Sequence, residues 1–196
     1  ETLLSYEFSV FLIRTRDEIV PFEVSQFPGR SFFKNSGNSE RSGMEIAFSY
    51  RVKPTLNFQL AYTYSNFKLR EFSENSVDLK GNEIPGIPQN QLFAEMKWKS
   101  PSGLFALWKG RYIDKLFADR ENTTIAPDYF LNNFQLGIEK EFGAFQGSLF
   151  FGVDNATDVN YFANTRVGAT NGFFFEPGPP ISLRGGFQIS FQKRKS

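Results

Sequence analysis

Apolar side chains occupy every second position along most of this chain. A period of two places those side chains on one face of a β-strand, whereas a helix requires a period of about 3.6 residues. Segments 42–51 and 56–65 both follow this pattern, and a turn containing Pro54 separates them, so the sequence predicts a β-hairpin. The apolar face of this hairpin consists of Met44, Ile46, Phe48, Tyr50, Leu56, Phe58, Leu60, Tyr62 and Tyr64.

The same alternation recurs in six further segments, and eight antiparallel strands are the simplest interpretation. The links between these strands alternate strictly between short and long. Short turns on one side of a membrane and long loops on the other are typical of an outer-membrane barrel. An even number of strands then places both chain ends on the short-turn side. The predicted strands are 6–12, 42–51, 56–65, 89–99, 104–116, 129–142, 145–153 and 181–191, with short links near 52–55, 100–103 and 143–144 and long links near 15–30, 71–88, 117–128 and 155–180.

Composition separates a membrane barrel from a soluble β-sandwich, which would show the same alternation. Hydrophobic residues make up 40% of the chain, yet no stretch approaches the ~18 consecutive apolar residues of a membrane helix. Aromatic residues reach 17%, and Tyr and Trp residues lie near the predicted strand ends, where barrels have aromatic girdles. Segment 56–66 matches the ~9–11 residues of a tilted membrane strand better than the ~5–6 of a soluble one. The sequence therefore predicts an all-β, antiparallel transmembrane β-barrel with an apolar face in lipid.

The chain contains no cysteine and no histidine. Disulfides, thiolate metal sites, Ser-His-Asp catalysis and HExxH zinc chemistry are therefore excluded, and we predict no enzyme activity, no cofactor and no metal site. A net charge of +1 gives no indication of a nucleic-acid partner. The oxygen-rich group Asp154, Asn155 and Asp158 matches no standard calcium loop in its spacing, and Asx turns are the preferred interpretation.

Four short motifs resemble, in order, motifs in the C-terminal part of TonB-dependent outer-membrane receptors, over about residues 30–191. The first is similar to a strand segment of that family, and the second to the start of another strand. The third resembles the motif near the last hairpin, and the fourth resembles the opening of the final strand. Phe191 resembles the aromatic residue that ends outer-membrane barrels. The motifs are residues 35–45, 87–90, 153–161 and 177–186.

This resemblance implies a barrel of about 22 strands around an N-terminal plug, to which residues 1–191 would contribute about eight strands. Residues 192–196 would be a basic C-terminal tail. An open arc leaves two unpaired edges that cannot face hydrocarbon, so we expect a longer parent chain or closure into a small barrel. The implied function is import of a ferric siderophore or a similar scarce ligand across the bacterial outer membrane, with lipid, the plug and TonB as partners. The alternative is a self-contained eight-stranded barrel with a structural or adhesive role.

The long loops contain the residues that we predict to bind such a ligand, namely Arg120, Arg166, Phe173 and Phe174. The planar guanidinium of arginine pairs bidentately with the oxygens of an anionic chelate. The alternative is that both arginines are solvated loop charges and that the phenylalanines pack within a loop or touch the membrane interface.

Charged residues also alternate along the polar face of the predicted strands. They could contact a plug or line a channel, but cross-strand ion pairs within the barrel wall are the preferred interpretation. The residues concerned are Glu95, Lys97, Arg111 and Glu139.

Overall fold

The computed structural model describes residues 3–23, 26–27, 30–35, 37–74, 77–169 and 174–191. Within these ranges the chain forms fifteen β-strands and no helix. None of the described segments is therefore a helix able to cross a bilayer. The strands are β1 (Leu4–Thr15), β2 (Ile19–Glu23), β3 (Ser31–Asn35), β4 (Gly37–Lys53), β5 (Leu56–Glu74), β6 (Val77–Asp78), β7 (Asn90–Lys99), β8 (Leu104–Ile113), β9 (Leu116–Phe117), β10 (Ile125–Ala126), β11 (Tyr129–Phe142), β12 (Phe145–Asp154), β13 (Phe162–Thr165), β14 (Phe175–Pro177) and β15 (Ser182–Phe191).

Eight long strands form one antiparallel sheet in the order β1-β4-β5-β7-β8-β11-β12-β15, with β6 added to the end of β5. Each long strand pairs with the next long strand along the chain, as in a meander. The predicted all-β antiparallel fold with eight principal strands is therefore confirmed. The long links carry the remaining short strands, of which three pairs form small hairpins, β2-β3, β9-β10 and β13-β14.

The strand register aligns the alternating apolar residues of the eight strands on one face. Phe48 lies between Tyr6 and Leu60 in neighbouring strands, and Leu149 lies between Ile138 and Phe187. This face stays uncovered, since the exposed fractions are 60% for Leu149 and 79% for Phe187. The described residues therefore do not form a sandwich of two large sheets. A continuous exposed apolar face of this size is what a sheet presents to lipid.

Asn132 is a polar exception on the apolar face. It lies opposite Gly110, and its Oδ1 accepts a hydrogen bond of 3.0 Å from the indole Nε1 of Trp108. Because a polar group facing hydrocarbon is costly without a partner, the neighbouring tryptophan makes an amide tolerable at this position.

The eight-stranded sheet is open. β1 and β15 lie at its opposite edges, and the described residues show no pairing between them. The alternative of a self-contained eight-stranded barrel is therefore not realised by the described part of the chain. Leu4 lies opposite Tyr50, and Phe191 lies opposite Phe145. The first and last strands thus begin and end on the side of the short turns, as the even strand number predicted.

β4 and β5 extend well beyond the segments predicted from the alternation. β4 begins at Gly37 and β5 ends at Glu74, whereas the predicted strands cover 42–51 and 56–65. The additional residues are held by polar contacts that a search for apolar alternation does not detect. The Arg14 Nε lies 2.9 Å from Glu40 Oε2, and Arg70 also pairs with Glu40. The hairpin therefore projects past the apolar face on the long-loop side.

A small apolar core covers the end of β5. Leu69, Phe72 and Leu79 are buried together, with Ile84 packed against them. The link after β5 folds back over the strand, since the Leu79 amide donates to the Phe72 carbonyl and the Ile84 amide to the Phe67 carbonyl. This core fixes the link next to the polar face of the sheet.

Candidate functional site

The polar face of the sheet carries several cross-strand ion pairs, as expected. Lys109 Nζ lies 3.5 Å from Glu95 Oε2, and Lys99 pairs with Glu139. Arg184 Nε lies 2.8 Å from Asp154 Oδ2. These pairs neutralise charge along the wall at a modest energetic contribution, because the side chains are partly exposed.

Within the described ranges, neither Lys97 nor Arg111 forms the ion pair that we predicted for it; Lys97 lies between Asn57 and Leu107. The register places Arg111 between Phe93 and Leu131, neither of which can accept a hydrogen bond from its side chain. Among the described residues no carboxylate forms an ion pair with it. Arg111 is therefore an exposed cation on the polar face, close to the long-loop end of β8.

Arg111 lines a cavity of about 300 Å³ at this end of the sheet. Gln91 and Tyr129 contribute from the neighbouring strands, and three long links complete the walls. The link between β5 and β7 supplies residues 86–88, the link between β8 and β11 supplies 114, 116 and 126–127, and the link between β12 and β15 supplies 162–165. The site thus combines the Arg111 cation with amide and aromatic groups and with the carboxylate of Asp114, which accepts a hydrogen bond of 2.6 Å from the Asn90 side chain.

Aromatic rings stabilise the last of these links. The Phe162 and Phe175 rings stack with centroids 4.4 Å apart, and the Tyr129 and Tyr161 rings lie 4.9 Å apart. This stack lies within the small hairpin of β13 and β14, in which Phe162 is opposite Pro177 and Thr165 is opposite Phe175. Such contacts contribute more than burial alone, so the link has its own local packing.

Of the residues predicted as ligand contacts, the three that the structure describes, Arg120, Arg166 and Phe174, do not line the cavity. The guanidinium of Arg120 lies over the Phe72 ring, 5.9 Å from its centroid. Arg166 is exposed, and its backbone amide donates to the Phe174 carbonyl at 2.8 Å. Phe174 is half-buried, with its ring 6.1 Å from that of Phe175. Phe173 and the tail 192–196 lie outside the described residues. The role of these residues in binding stays a prediction.

In the oxygen-rich group at the end of β12, Asn155 and Asp158 bind backbone groups, as the Asx interpretation predicted, whereas Asp154 ends the strand and pairs with Arg184. Asn155 is buried. Its side-chain Nδ2 donates to the Val159 carbonyl and its Oδ1 accepts from the Val159 backbone amide, both at 2.9 Å. Asp158 Oδ1 accepts a hydrogen bond of 2.9 Å from the Ile181 amide. These side chains therefore connect the beginning and the end of the last long link.

Comparison with known proteins provides a sequence relationship. A family model described as TonB dependent receptor-like, beta-barrel matches residues 2–156. The chain is 28% identical over 136 residues to the ferrioxamine B receptor of Salmonella typhimurium. That match covers 67% of this chain and 19% of the receptor, so the chain spans about a fifth of the length of the curated relatives.

Solved structures share the fold at low sequence identity. The unliganded ferric citrate transporter superposes with a TM-score of 0.75 at 20% identity, covering 96% of this chain and 29% of the transporter. The ferric preacinetobactin receptor from Acinetobacter baumannii superposes with a TM-score of 0.73 at 16% identity, covering 96% and 27% of the two chains. Since the family model matches most of the sequence, this chain belongs to the TonB-dependent receptor-like β-barrel family.

Proposed function

We propose that this chain forms part of the outer-membrane barrel of a transporter that imports a ferric siderophore or a similar scarce ligand. The observation that carries the proposal is Arg111, which forms no ion pair with a described carboxylate and lines a cavity at the long-loop end of the polar face, with Asp114 held by Asn90 at the same cavity. Family membership supports the same function. The related proteins named above are receptors or transporters of ferrioxamine B, ferric citrate and ferric preacinetobactin.

The chemistry of the cavity suits an iron chelate. An arginine without a carboxylate partner can donate charge-assisted hydrogen bonds to carboxylate, catecholate or hydroxamate oxygens. Tyr129 and Gln91 add an aromatic surface and an amide within the same cavity. Arg120, Arg166, Phe173 and Phe174 are proposed as additional contacts from the surrounding loops. The chain is proposed to act as a transporter without enzymatic activity or a cofactor of its own.

The partners follow from the two faces of the sheet. The exposed apolar face is proposed to contact outer-membrane lipid, and the ion-paired polar face to surround a plug domain through which TonB acts. The short-turn side would then lie in the periplasm and the long loops outside the cell.

Ligand binding by the full-length receptor in detergent tests the proposal. Binding of ferrioxamine B and ferric citrate is measured by quenching of intrinsic fluorescence. We expect the Arg111→Gln variant to bind the preferred chelate at least about 10-fold more weakly, because a charge-assisted hydrogen bond contributes about 1.5–3 kcal/mol. The matched control is Lys109→Gln, whose cation is already paired with Glu95, and its affinity should be unchanged. If the wild-type receptor binds no ferric siderophore, the proposed function is wrong.

A further inference from the structure

Three long links that line the cavity are joined to one another by backbone hydrogen bonds. The Gly86 amide, after β5, donates to the Phe117 carbonyl at 2.7 Å, and the Gly168 amide, after β12, donates to the Ala118 carbonyl at 3.0 Å. Ala118 is fully buried at this junction. The link between β8 and β11 therefore holds the links on both sides of it.

Asn122 connects two of these links through its side chain, and the Asn82 side chain joins the same two links by donating to the Arg120 carbonyl at 2.8 Å. The Oδ1 of Asn122 accepts from the Glu83 amide at 2.7 Å, and its Nδ2 donates to the Glu83 carbonyl at 3.0 Å. On the other side Glu83 pairs with Lys68 in an antiparallel bridge. The side-chain amide of Asn122 thus bonds to both the backbone N–H and the backbone C=O of Glu83, as a neighbouring β-strand would.

The turn that carries Asn122 is ordered by contacts of its own. Asn122 has a φ of 59°, in the left-handed region that asparagine tolerates better than most residues. The buried carboxylate of Asp119 accepts hydrogen bonds of 2.8 Å from the amide and hydroxyl of Thr123 and from the amide of Thr124. Burial alone would raise the pKa of Asp119, but these hydrogen bonds outweigh it and hold the pKa below its ordinary value. Asp119 is therefore charged at neutral pH and holds the turn.

The two links that Asn122 joins both contribute walls to the cavity. Gly86 and Pro88 line it from one link, and Leu116 and Ala126 line it from the other. We propose that Asn122 is a positioning residue that holds these walls at their binding distance before the ligand arrives. This inference rests on the proposed function, because it assigns Asn122 a role in binding the same ligand at the same cavity.

A preassembled cavity has a kinetic consequence. When the binding-competent conformation is already the dominant one, no conformational change has to precede binding. The affinity is then not reduced by the free energy needed to populate a minor state. The observed association rate of the wild-type receptor should then rise linearly with ligand concentration. Loosening the two links should make that rate level off, because a conformational step becomes limiting.

The test uses the full-length receptor and the Asn122→Gly variant, which permits the left-handed backbone but removes the amide. The matched control is Asn160→Gly, at an exposed position in the link after β12. In the ligand-free variant we expect faster hydrogen exchange at the Glu83 and Gly86 amides. With ferrioxamine B as the probe, we expect the Kd of the variant to be about 3- to 10-fold higher, because only the fraction of molecules whose links are joined can bind. We also expect the observed association rate to level off as the ligand concentration rises. The control should match the wild type in all three measurements.

Several outcomes would overturn the positioning role. Unchanged Kd and kinetics in Asn122→Gly, despite faster exchange at Glu83, would show that the contact is structural only. A saturating rate in the wild type would contradict preassembly.

If Asn122→Gly does not fold, Asn122→Asp decides, since it keeps the acceptor for the Glu83 amide, loses the donor and should show an intermediate effect. A wild type that binds neither ferrioxamine B nor another ferric siderophore defeats the proposed function and the positioning role together, while the exchange data still decide whether the links are joined.

Discussion

Single glycines on the polar face are constrained by the aromatic residues paired with them. Phe105 lies directly opposite Gly137, and a Cβ built on Gly137 would lie 2.4 Å from the Phe105 ring and 2.6 Å from the Leu149 carbonyl oxygen. Phe11 with Gly43 and Phe150 with Gly186 repeat this arrangement. Each ring lies across its glycine, as in the aromatic rescue of glycine in designed sheets.

We expect Gly137→Ala to destabilise the barrel by about 1–3 kcal/mol, the usual cost of inserting a methyl group into a filled space. Gly147→Ala is the control, because its Cβ would meet only the Phe142 ring at an ordinary 3.7 Å. Urea unfolding of both variants in detergent measures the difference. Equal unfolding midpoints would show that the Phe105 ring moves away at little cost.

The residues of the candidate site were only partly predictable from the sequence. Their position in long links and the chemistry of guanidinium predict Arg120 and Arg166 as ligand contacts, but the contacts that they make depend on how the links fold. Arg111 was assigned to an ion pair because its polar face carries carboxylates. Only the register shows that its neighbours are Phe93 and Leu131.

At the scale of the elements, apolar alternation predicted the strands wherever one face meets lipid. It failed for the ends of β4 and β5, where Arg41 donates to Ser39 and Thr15 at 2.8 and 3.0 Å and also pairs with Glu18. Strand pairing there depends on polar contacts between residues distant in sequence. Such contacts carry no periodic signal, so a single sequence does not reveal them.

The strand extension gives a prediction about pH. Hydrogen bonds from Arg70 and then Arg14 hold the pKa of Glu40 below its ordinary value of 4.5. Because the pKa of Glu40 is lower in the folded state, its ion pairs stabilise the strand extension fully above pH 4.5. This stabilisation is lost as the pH falls through the lower, folded-state pKa. A nitroxide on a cysteine introduced at Arg16, which follows β1, should therefore keep its mobility from pH 7 to about 5 and become more mobile in stronger acid. In the Glu40→Gln variant the nitroxide should be mobile at every pH. Nitroxide mobility that does not change with pH in the wild type would contradict the role of Glu40.

At the scale of the whole molecule, the open sheet has one face for lipid and one for water, and each function assigned to it depends on that difference. Leu149 and Ser148 are neighbours in β12, and their side chains lie on opposite faces of the sheet. Leu149 lies opposite Ile138 and Phe187, whereas Ser148 lies opposite Glu139 and Gln188. An arginine at position 148 would meet the carboxylate of Glu139 on the wet side. An arginine at 149 would enter hydrocarbon.

We therefore expect Leu149→Arg in the full-length receptor to lower the free energy of unfolding from phospholipid vesicles by about 2–4 kcal/mol, the cost of an arginine near the bilayer midplane. Ser148→Arg should change it by less than about 1 kcal/mol, as for other charges on a wet surface. Urea titration followed by tryptophan fluorescence measures both variants in the same vesicles. Equal stabilities would mean that Leu149 does not face lipid, and the assignment of the apolar face to the membrane would fail with it.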